Sequence, residues 1–257
     1  MDIMKKCKKI IEFIAKKAGR KPVVVGLSGG IDSAVVAYLA VKALGKKKVF
    51  GLIMPSKTNS SDDNRLAVKV AKFLKIKHQI LEIEEMVKSF QKVAKFFDKK
   101  KNLGNLKART RMCLLYGKAN EMGGLVLGTG NKSEIMTGYF TKYGDGGVDI
   151  LPIGDLYKIE VRELAKLLKI PAEIINRPPT AGLWKGQTDE GELGIRYADL
   201  DKILHAIEQK KSLKDFSKSD LRLVRKYLEN STHKRTMPVV CCLRPLNTCL
   251  PAGRHNT

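Results

Sequence analysis

Short apolar runs alternate with amphipathic segments along most of this chain, and that alternation limits the folds open to it. Four of the runs are typical of buried strands and lie at 23–27, 49–54, 78–83 and 124–127. Parallel strands need long crossover connections, which are usually helices. The pattern therefore predicts an α/β fold, a doubly wound parallel sheet with helices on both faces.

The amphipathic segments between and after these runs predict the helices, because their apolar residues recur at helical spacing. They cover 1–17, 32–44, 62–74, 84–97, 105–122, 160–168, 192–208 and 217–229, with a short helix at 131–136. The polar stretch 98–104 and the segment 176–190, which carries two adjacent prolines, are predicted to be loops.

No linker or internal repeat divides residues 1–238, which we predict to form a single domain. The remaining stretch, 239–257, holds three of the five cysteines and shows no periodicity. Three cysteines without a second close pair make a poor zinc pattern. We therefore predict a disordered or non-native tail at 239–257.

The net charge of +23, from 49 Lys and Arg against 26 Asp and Glu, has two explanations. It could attract nucleic acid, or it could belong to a solvated lysine-rich surface. The lysines are scattered and few aromatics stand among them to stack on bases, so no nucleic-acid partner is predicted. No apolar stretch approaches the roughly 18 residues of a membrane span, and the cysteines form no paired framework. No membrane contact and a cytoplasmic location are therefore predicted.

One short segment between a predicted strand and a predicted helix has the composition of a phosphate-binding loop. It consists of Gly26, Leu27, Ser28, Gly29, Gly30, Ile31, Asp32 and Ser33. Adjacent glycines let backbone amides approach a ligand closely, and a helix N-terminus adds partial positive charge. The segment lacks both the Gly-Lys-Ser/Thr ending of a Walker A loop and the spacing of a GxGxxG fingerprint.

Asp32 is unusual inside a cradle for anions. A carboxylate is expected there if it binds a cation, such as Mg²⁺, that bridges to the phosphates. In the alternative interpretation, the segment is only a tight turn in which Asp32 and Ser33 cap the helix.

The run Ser-Gly-Gly-Ile-Asp-Ser at 28–33 resembles the pyrophosphate-binding loop of the ATP pyrophosphatases. That superfamily includes NAD synthetase, the ATP-cleaving part of GMP synthetase and tRNA-modifying enzymes. Further segments are similar to NAD synthetases, in the same order, over roughly residues 20–238. These segments are 104–112, 128–134, 137–149, 178–184, 187–190 and 233–235. Taken together, they resemble the ammonia-dependent NAD synthetase family.

The resemblance implies an adenine nucleotide alpha hydrolase-like fold, a homodimer and a two-step reaction on nicotinic acid adenine dinucleotide. The nicotinate carboxylate attacks the α-phosphorus of ATP and releases pyrophosphate, and ammonia then displaces AMP to give NAD. The glutamine-dependent relatives carry an additional amidase domain, for which 257 residues leave no room, so free ammonia is the expected donor.

The residues that match the family's motifs fall into three groups. The implied ATP contacts are the segment 26–33 together with Thr129, Lys158 and Thr180. The implied Mg²⁺ ligands are Asp32 and Glu134. The implied dinucleotide-binding residues are Arg109, Lys142, Asp149, His233 and Lys234.

The loops 98–104 and 178–190 are candidate lids, because an acyl adenylate must be kept away from water. Trp184, the only tryptophan, lies in the second loop and is either a packing anchor or a neighbour of the substrate.

Two other functions compete with this interpretation. A tRNA-modifying ATP pyrophosphatase would explain the positive charge, but those that transfer sulfur generally need reactive cysteine pairs, which residues 1–238 lack. A nucleotide sensor would bind ATP without turning it over. The pairing of Asp32 with Glu134 argues against a sensor, since a simple binder needs no second metal ligand.

Overall fold

The fold is built on a parallel sheet of four strands, as the sequence predicts. The computed structural model describes residues 1–58, 60–184, 186–241 and 243. The strands are β1 (Val23–Gly26), β2 (Val49–Ile53), β3 (Lys77–Ile80) and β4 (Leu125–Leu127), in the spatial order β3-β2-β1-β4. Val23 at the start of β1 is level with Val49 on one side and Leu125 on the other.

Twelve helices occur among the described residues. The first six are α1 (Ile3–Ala18), α2 (Ile31–Leu44), α3 (Ser61–Leu74), α4 (Glu84–Val93), α5 (Lys100–Glu121) and α6 (Lys132–Thr137). The other six are α7 (Lys158–Leu167), α8 (Ala172–Ile175), α9 (Asp189–Leu193), α10 (Tyr197–Glu208), α11 (Lys218–Asn230) and α12 (Thr232–Arg235). Two short 3-10 turns lie at Lys46–Lys48 and Lys95–Asp98.

Helices cover both faces of the sheet, which confirms the doubly wound prediction. Val23 and Val25 of β1 pack with α1, α2, α3 and α7 on one face. Val24 and Val126 pack with α4 and α5 on the other face. Successive residues of a strand point to opposite faces, so a β-branched run such as 23–25 contributes to both cores at once.

A third apolar cluster lies beside this sheet and is made of helices alone. It joins α9, α10 and α11 to Tyr157, at the start of α7. The sequence predicts one helix over 192–208, but the structure divides it. Gly194 follows α9 with a φ of 67°, and α10 begins only at Tyr197. A left-handed residue ends a helix, and glycine adopts that conformation without strain.

The prediction of a loop at 98–104 is wrong. The segment forms the turn before α5 and the first turns of that helix, which begins at Lys100. The side chain of Asn102 donates to the carbonyl oxygen of Phe96 at 2.8 Å and so fastens the helix to the preceding turn. The segment 98–104 is therefore not a loop that could close as a lid.

The described part of the chain contains no helix that is long and apolar enough to cross a bilayer. At the C-terminal end, residues 239–241 and 243 have no regular structure and are exposed. Residues 242 and 244–257, for which a tail is predicted, lie outside the described residues, so the division at 238 stays a prediction.

Gly138 is a position where the fold requires glycine. It ends α6 with a φ of 68°, and a Cβ added there would lie 2.2 Å from the Cβ of Ser231. We expect Gly138→Ala to lower the free energy of unfolding by about 2–4 kcal/mol, through backbone strain and overpacking. Denaturant titration measures this change.

Gly117 provides the matched control. It lies inside α5, where an added Cβ would meet nothing within 4 Å. Gly117→Ala should raise stability by about 0.5–1 kcal/mol, because alanine favours the helix. Equal effects of the two substitutions would show that close packing at Gly138 does not matter.

Candidate active site

The site lies at the carboxyl end of the sheet, where the order of the strands reverses. The chain leaves β1 toward β2 on one side, and β4 is added later on the other side of β1. In parallel sheets this switch point forms the crevice in which ligands bind. The segment 26–33 leaves β1 there, and Thr129 and Asn131 follow β4 at the same edge.

The segment 26–33 forms a turn that is closed by its own hydroxyl groups. The backbone amide of Ser28 donates to Ser33 Oγ at 3.3 Å, and Ser33 Oγ donates to the carbonyl oxygen of Gly30 at 3.0 Å. Gly30 precedes α2 and provides no side-chain cap for the helix. The first amides of α2 are therefore available to an anion.

Gly29 is the point where a neighbouring element comes closest to this turn. Its φ is 79°, and an added Cβ would lie 2.3 Å from the carbonyl oxygen of Asp63, on α3. Only glycine combines this backbone conformation with such a close approach.

Asp32 does not cap α2; its carboxylate instead points toward two other helices. Asp32 Oδ2 accepts a bond from Lys158 Nζ at 2.6 Å, and Glu134 Oε1 accepts a second bond from the same nitrogen at 3.0 Å. Among the described residues, Lys158 is the largest fully buried side chain, at 2% exposure. The structure thus brings together three of the residues predicted for the ATP and metal sites, and the capping interpretation of Asp32 is wrong.

The charges of this cluster affect one another strongly. Burial raises the pKa of Glu134 to about 7, while Lys158 opposes the shift. Burial disfavours the charge of Lys158, yet Asp32 and Glu134 together raise the pKa of that ammonium well above its usual range. The lysine is therefore a permanent cation held between two carboxylates.

Sequence reasoning missed Asn131, which orients both carboxylates. The buried Asn131 side chain donates to Asp32 Oδ1 at 3.0 Å through Nδ2, and its Oδ1 accepts the amide of Glu134 at 3.0 Å. Glu134 in turn accepts the amide of Asn131, which completes a capping box at the start of α6. The spacing Asn-x-x-Glu at 131–134 is the sequence signal that could have indicated this arrangement.

Sequence reasoning also missed two buried carboxylates around Lys158. Asp201 accepts bonds from Ser133 Oγ and from the amide of Ile159, and so fixes the first turn of α7, which carries Lys158. Asp189 is 3% exposed, and its Oδ2 accepts from Tyr197 OH at 3.2 Å. Burial raises the pKa of Asp189, and Lys158 opposes that shift.

Four of the five residues predicted to bind the dinucleotide lie together. Arg109 donates to the carbonyl oxygen of Lys142 at 3.3 Å, and Lys142 Nζ donates to the carbonyl oxygen of His233. Lys234 Nζ donates to the carbonyl oxygens of Gly138 and Phe140, both at 2.6 Å. Because carbonyl oxygens carry no formal charge, these contacts leave the charges of Arg109 and Lys142 available to an anion, whereas burial lowers the pKa of the Lys234 ammonium and the Asp145 carboxylate opposes that shift.

Three further residues predicted for the site have no described contact with the ion pairs of Lys158 or with this cationic cluster. Asp149 accepts the amide of Val126 at 2.8 Å and Tyr116 OH at 3.2 Å, so it lies against β4 and α5. Thr129 is half-buried just after β4. Thr180 is exposed, and its hydroxyl accepts the amide of Gly182 at 3.1 Å within the segment 176–190.

Removing the buried cation should destabilise the protein in a way that Mg²⁺ corrects. Lys158→Met leaves Asp32 and Glu134 together without a counterion, which should cost about 3–5 kcal/mol of unfolding free energy. Because Mg²⁺ could then bind between the carboxylates, added Mg²⁺ should stabilise this variant more than the unchanged protein. Denaturant titration with and without Mg²⁺ measures both effects.

Lys166→Met, an exposed change on the same helix, is the control and should leave stability within about 0.5 kcal/mol. A Lys158→Met protein that gains nothing from Mg²⁺ would contradict the convergence of the two carboxylates on one cation.

Comparison with known proteins agrees with this geometry. The family model described as NAD synthase matches residues 3–238. The NH(3)-dependent NAD(+) synthetase of Archaeoglobus fulgidus is 49% identical over 250 residues, which cover 96% of this chain and 100% of the relative.

Two solved structures share the fold. The NMN synthetase of Francisella tularensis has a TM-score of 0.86 and 36% identity, and covers 94% of this chain and 99% of its own. The NH3-dependent NAD synthetase of Campylobacter jejuni has a TM-score of 0.81 and 34% identity, with 94% and 100% coverage. The residues matched by the family model extend from before the segment 26–33 to beyond the cationic cluster near residue 234, and we conclude that the chain belongs to the NAD synthase family.

Proposed function

We propose that this protein is an ammonia-dependent NAD synthetase, a ligase that uses ATP to convert nicotinic acid adenine dinucleotide into NAD. The main support for this function is that Asp32, Glu134 and Lys158 contact one another beside the phosphate-binding segment 26–33, which we call the cradle. In addition, the chain matches the NAD synthase family over residues 3–238. Close relatives named as NAD synthetases do not favour the tRNA-modifying alternative.

The reaction proceeds in two displacements. A nicotinate carboxylate oxygen attacks the α-phosphorus of ATP, and the bond to the bridging oxygen of pyrophosphate breaks. Ammonia then attacks the acyl carbon of the adenylate, the bond to AMP breaks, and the nitrogen loses a proton to give the amide. Both steps place negative charge on a phosphate leaving group, which the site must stabilise.

The cradle supplies neutral donors for the leaving pyrophosphate. The free amides at the start of α2 and the hydroxyl of Ser28 lie on one turn, and Ser33 Oγ, which donates to the carbonyl oxygen of Gly30, holds that turn in shape. Lys158 contributes a cation that stays protonated because two carboxylates hold it. Thr129 and Thr180 are proposed as further ATP contacts.

Asp32 and Glu134 fit a Mg²⁺ ion. Lys158 Nζ bridges the two carboxylates, so they lie side by side, and a Mg²⁺ ion would bind next to that ammonium through the lone pairs that it leaves; carboxylate oxygens are hard ligands of the kind that Mg²⁺ prefers. Two carboxylates completed by substrate phosphates are a common mode of Mg²⁺ binding, and a bound ion would reduce the repulsion between the attacking carboxylate and the triphosphate.

The dinucleotide is proposed to bind at the cationic cluster. Arg109, Lys142 and Lys234 offer charge to its phosphates, and His233 and Asp149 complete the set. The helix α6 connects this cluster to the ATP site, because Glu134 stands in its first turn and Gly138, a Lys234 partner, ends it. The acid to be activated can thus be held next to the ATP that activates it.

A turnover assay tests the function. Protein, ATP, Mg²⁺, ammonium and nicotinic acid adenine dinucleotide should yield AMP and NAD in equal amounts. Asp32→Ala should reduce this turnover by about 1000-fold, since a metal ligand contributes several kcal/mol to the transition state. Asp215→Ala, an exposed change, is the control and should retain full turnover. If the unchanged protein forms no AMP, it is not a synthetase.

The same assay decides between two substrates. Likeness to the Francisella tularensis NMN synthetase makes nicotinic acid mononucleotide a second candidate. The 49% identity to the Archaeoglobus fulgidus NAD synthetase favours the dinucleotide. We expect kcat/KM to be higher for the dinucleotide, and a preference for the mononucleotide would reassign the substrate.

We also propose a homodimer. Phe90, Val93 and Phe96, on α4 and the following turn, are 51%, 88% and 58% exposed and form one apolar strip. Adjacent exposed apolar residues of this size mark contact surfaces.

Lysines in this strip should dissociate the dimer through charge repulsion. The double variant Phe90→Lys with Val93→Lys should therefore have half the mass of the unchanged protein in analytical sedimentation. Met4→Lys, on the exposed side of α1, is the control and should leave the mass unchanged. An unchanged mass for the double variant would exclude this strip as the interface.

A further inference from the structure

Two loops meet above the candidate ATP site, and a buried lysine lies under the junction. Lys107, on α5, is 3% exposed. Its Nζ donates to Thr58 Oγ1 at 3.0 Å, in the loop after β2, and to the carbonyl oxygen of Leu183 at 3.2 Å. We call residues 177–184 the lid segment. Lys107 therefore contacts, with one ammonium group, both the lid segment and residues 54–58, which we call the β2 loop.

Thr58 adds a second connection at the same point. Its hydroxyl lies 3.4 Å from the carbonyl oxygen of Gly182 and 3.3 Å from that of Leu183. A hydroxyl has one proton and two lone pairs, so it can accept from Lys107 while it donates to one of these carbonyls. The β2 loop, α5 and the lid segment are thus joined by hydrogen bonds that share Thr58 Oγ1.

The first residues of the lid segment lie next to the candidate ATP site. At one end Arg177 pairs with Asp63 at 2.5 Å, and Asp63 is the residue whose carbonyl oxygen touches Gly29 of the cradle. Beyond the other end, the amide of Asp189 donates to the carbonyl oxygen of Pro179 at 3.0 Å, and Asp189 acts electrostatically on Lys158. A displacement of the lid segment would therefore disturb the neighbours of both Gly29 and Lys158.

The tip of the lid segment packs on the first turns of α5. A Cβ added at Gly104 would lie 3.2 Å from Leu183 and 3.3 Å from Trp184. Lys100 Nζ stands 4.4 Å from the centroid of the Trp184 ring. The only tryptophan of the chain is thus a packing anchor at the place where the lid segment docks, and its fluorescence can report that contact.

The energetics of Lys107 indicate a role other than packing. Burial lowers the pKa of its ammonium, while Glu84 opposes the shift. Buried charges are costly unless they are paired or fully hydrogen-bonded, and Lys107 Nζ donates to two uncharged oxygens. A methionine would fill a similar volume without that cost, so the charge is explained by the carbonyl and hydroxyl groups that it holds together.

We propose that Lys107 is a positioning residue that fastens the lid segment to the β2 loop as a closed cover over the ATP site. The expected consequence of this closure, protection of the acyl adenylate from water, rests on the proposed function. With the cover open, water attacks the acyl carbon and the bond to AMP breaks. The nicotinate carboxylate is then regenerated, AMP is released, and the two protons of the water go to solvent.

Acrylamide quenching of Trp184 fluorescence tests the docking without any reaction. Lys107→Met should increase the quenching constant by about twofold, because the undocked tip becomes accessible to the solvent. Lys99→Met, an exposed change just before α5, should leave it unchanged. Thr58→Val removes the shared hydroxyl, leaves Lys107 Nζ with one acceptor fewer and should also increase quenching, which keeps the test decisive if Lys107→Met proves unstable.

The ratio of AMP to NAD formed in the assay tests the consequence. The unchanged protein and Lys99→Met should give a ratio close to one, and Lys107→Met should give an excess of AMP through hydrolysis of the adenylate. Unaltered quenching in both junction variants, or a Lys107→Met ratio equal to that of the unchanged protein, would overturn the proposal. A failure of the proposed function would instead appear as absent AMP in the unchanged protein, whatever the quenching shows.

Discussion

The contact of Lys158 with Asp32 and Glu134 is the interaction on which the rest of the structure depends. Each of the three residues stands in the first turn of its own helix, α7, α2 and α6. Carboxylates are stabilised at helix N-termini and a cation is not, so the lysine is held there by its partners against the helix dipole. The pairing fixes the relative positions of three helices around the carboxyl end of β1, and with them the shape of the cradle.

The parts of the molecule that could be predicted from the sequence are those in which the interacting residues lie close together along the chain. Strand β1, the turn at 26–33 and α2 follow one another without a gap, so their residue types indicate both structure and chemistry. The Asp32–Lys158 contact joins residues 126 apart, and no periodicity indicates it; only the family resemblance pointed to both. The error at 98–104 has a similar origin, since the polarity of that stretch indicated a loop while Asn102 was already bonded to the previous turn.

Charge is distributed differently in the two halves of the proposed site. Around ATP, carboxylates surround a single buried lysine, which suits a region where a metal cation and a triphosphate would arrive together. Around the dinucleotide, Arg109 and Lys142 donate to carbonyl oxygens and have no carboxylate among these partners. The net charge of +23 is therefore no guide to function by itself. What matters is which cations are neutralised by carboxylates and which are left for a ligand.

The two buried lysines show why one connection is permanent and the other is suited to opening. Lys158 has charged partners that raise its pKa, and separating a buried ion pair leaves an uncompensated charge. Lys107 has neutral partners and a lowered pKa, and water can replace a carbonyl or a hydroxyl at little net cost. A substrate as large as a dinucleotide must enter and leave, whereas the cradle must keep its geometry throughout. The ion pair therefore lies at the proposed ATP site, and the exchangeable hydrogen bonds lie at the proposed cover.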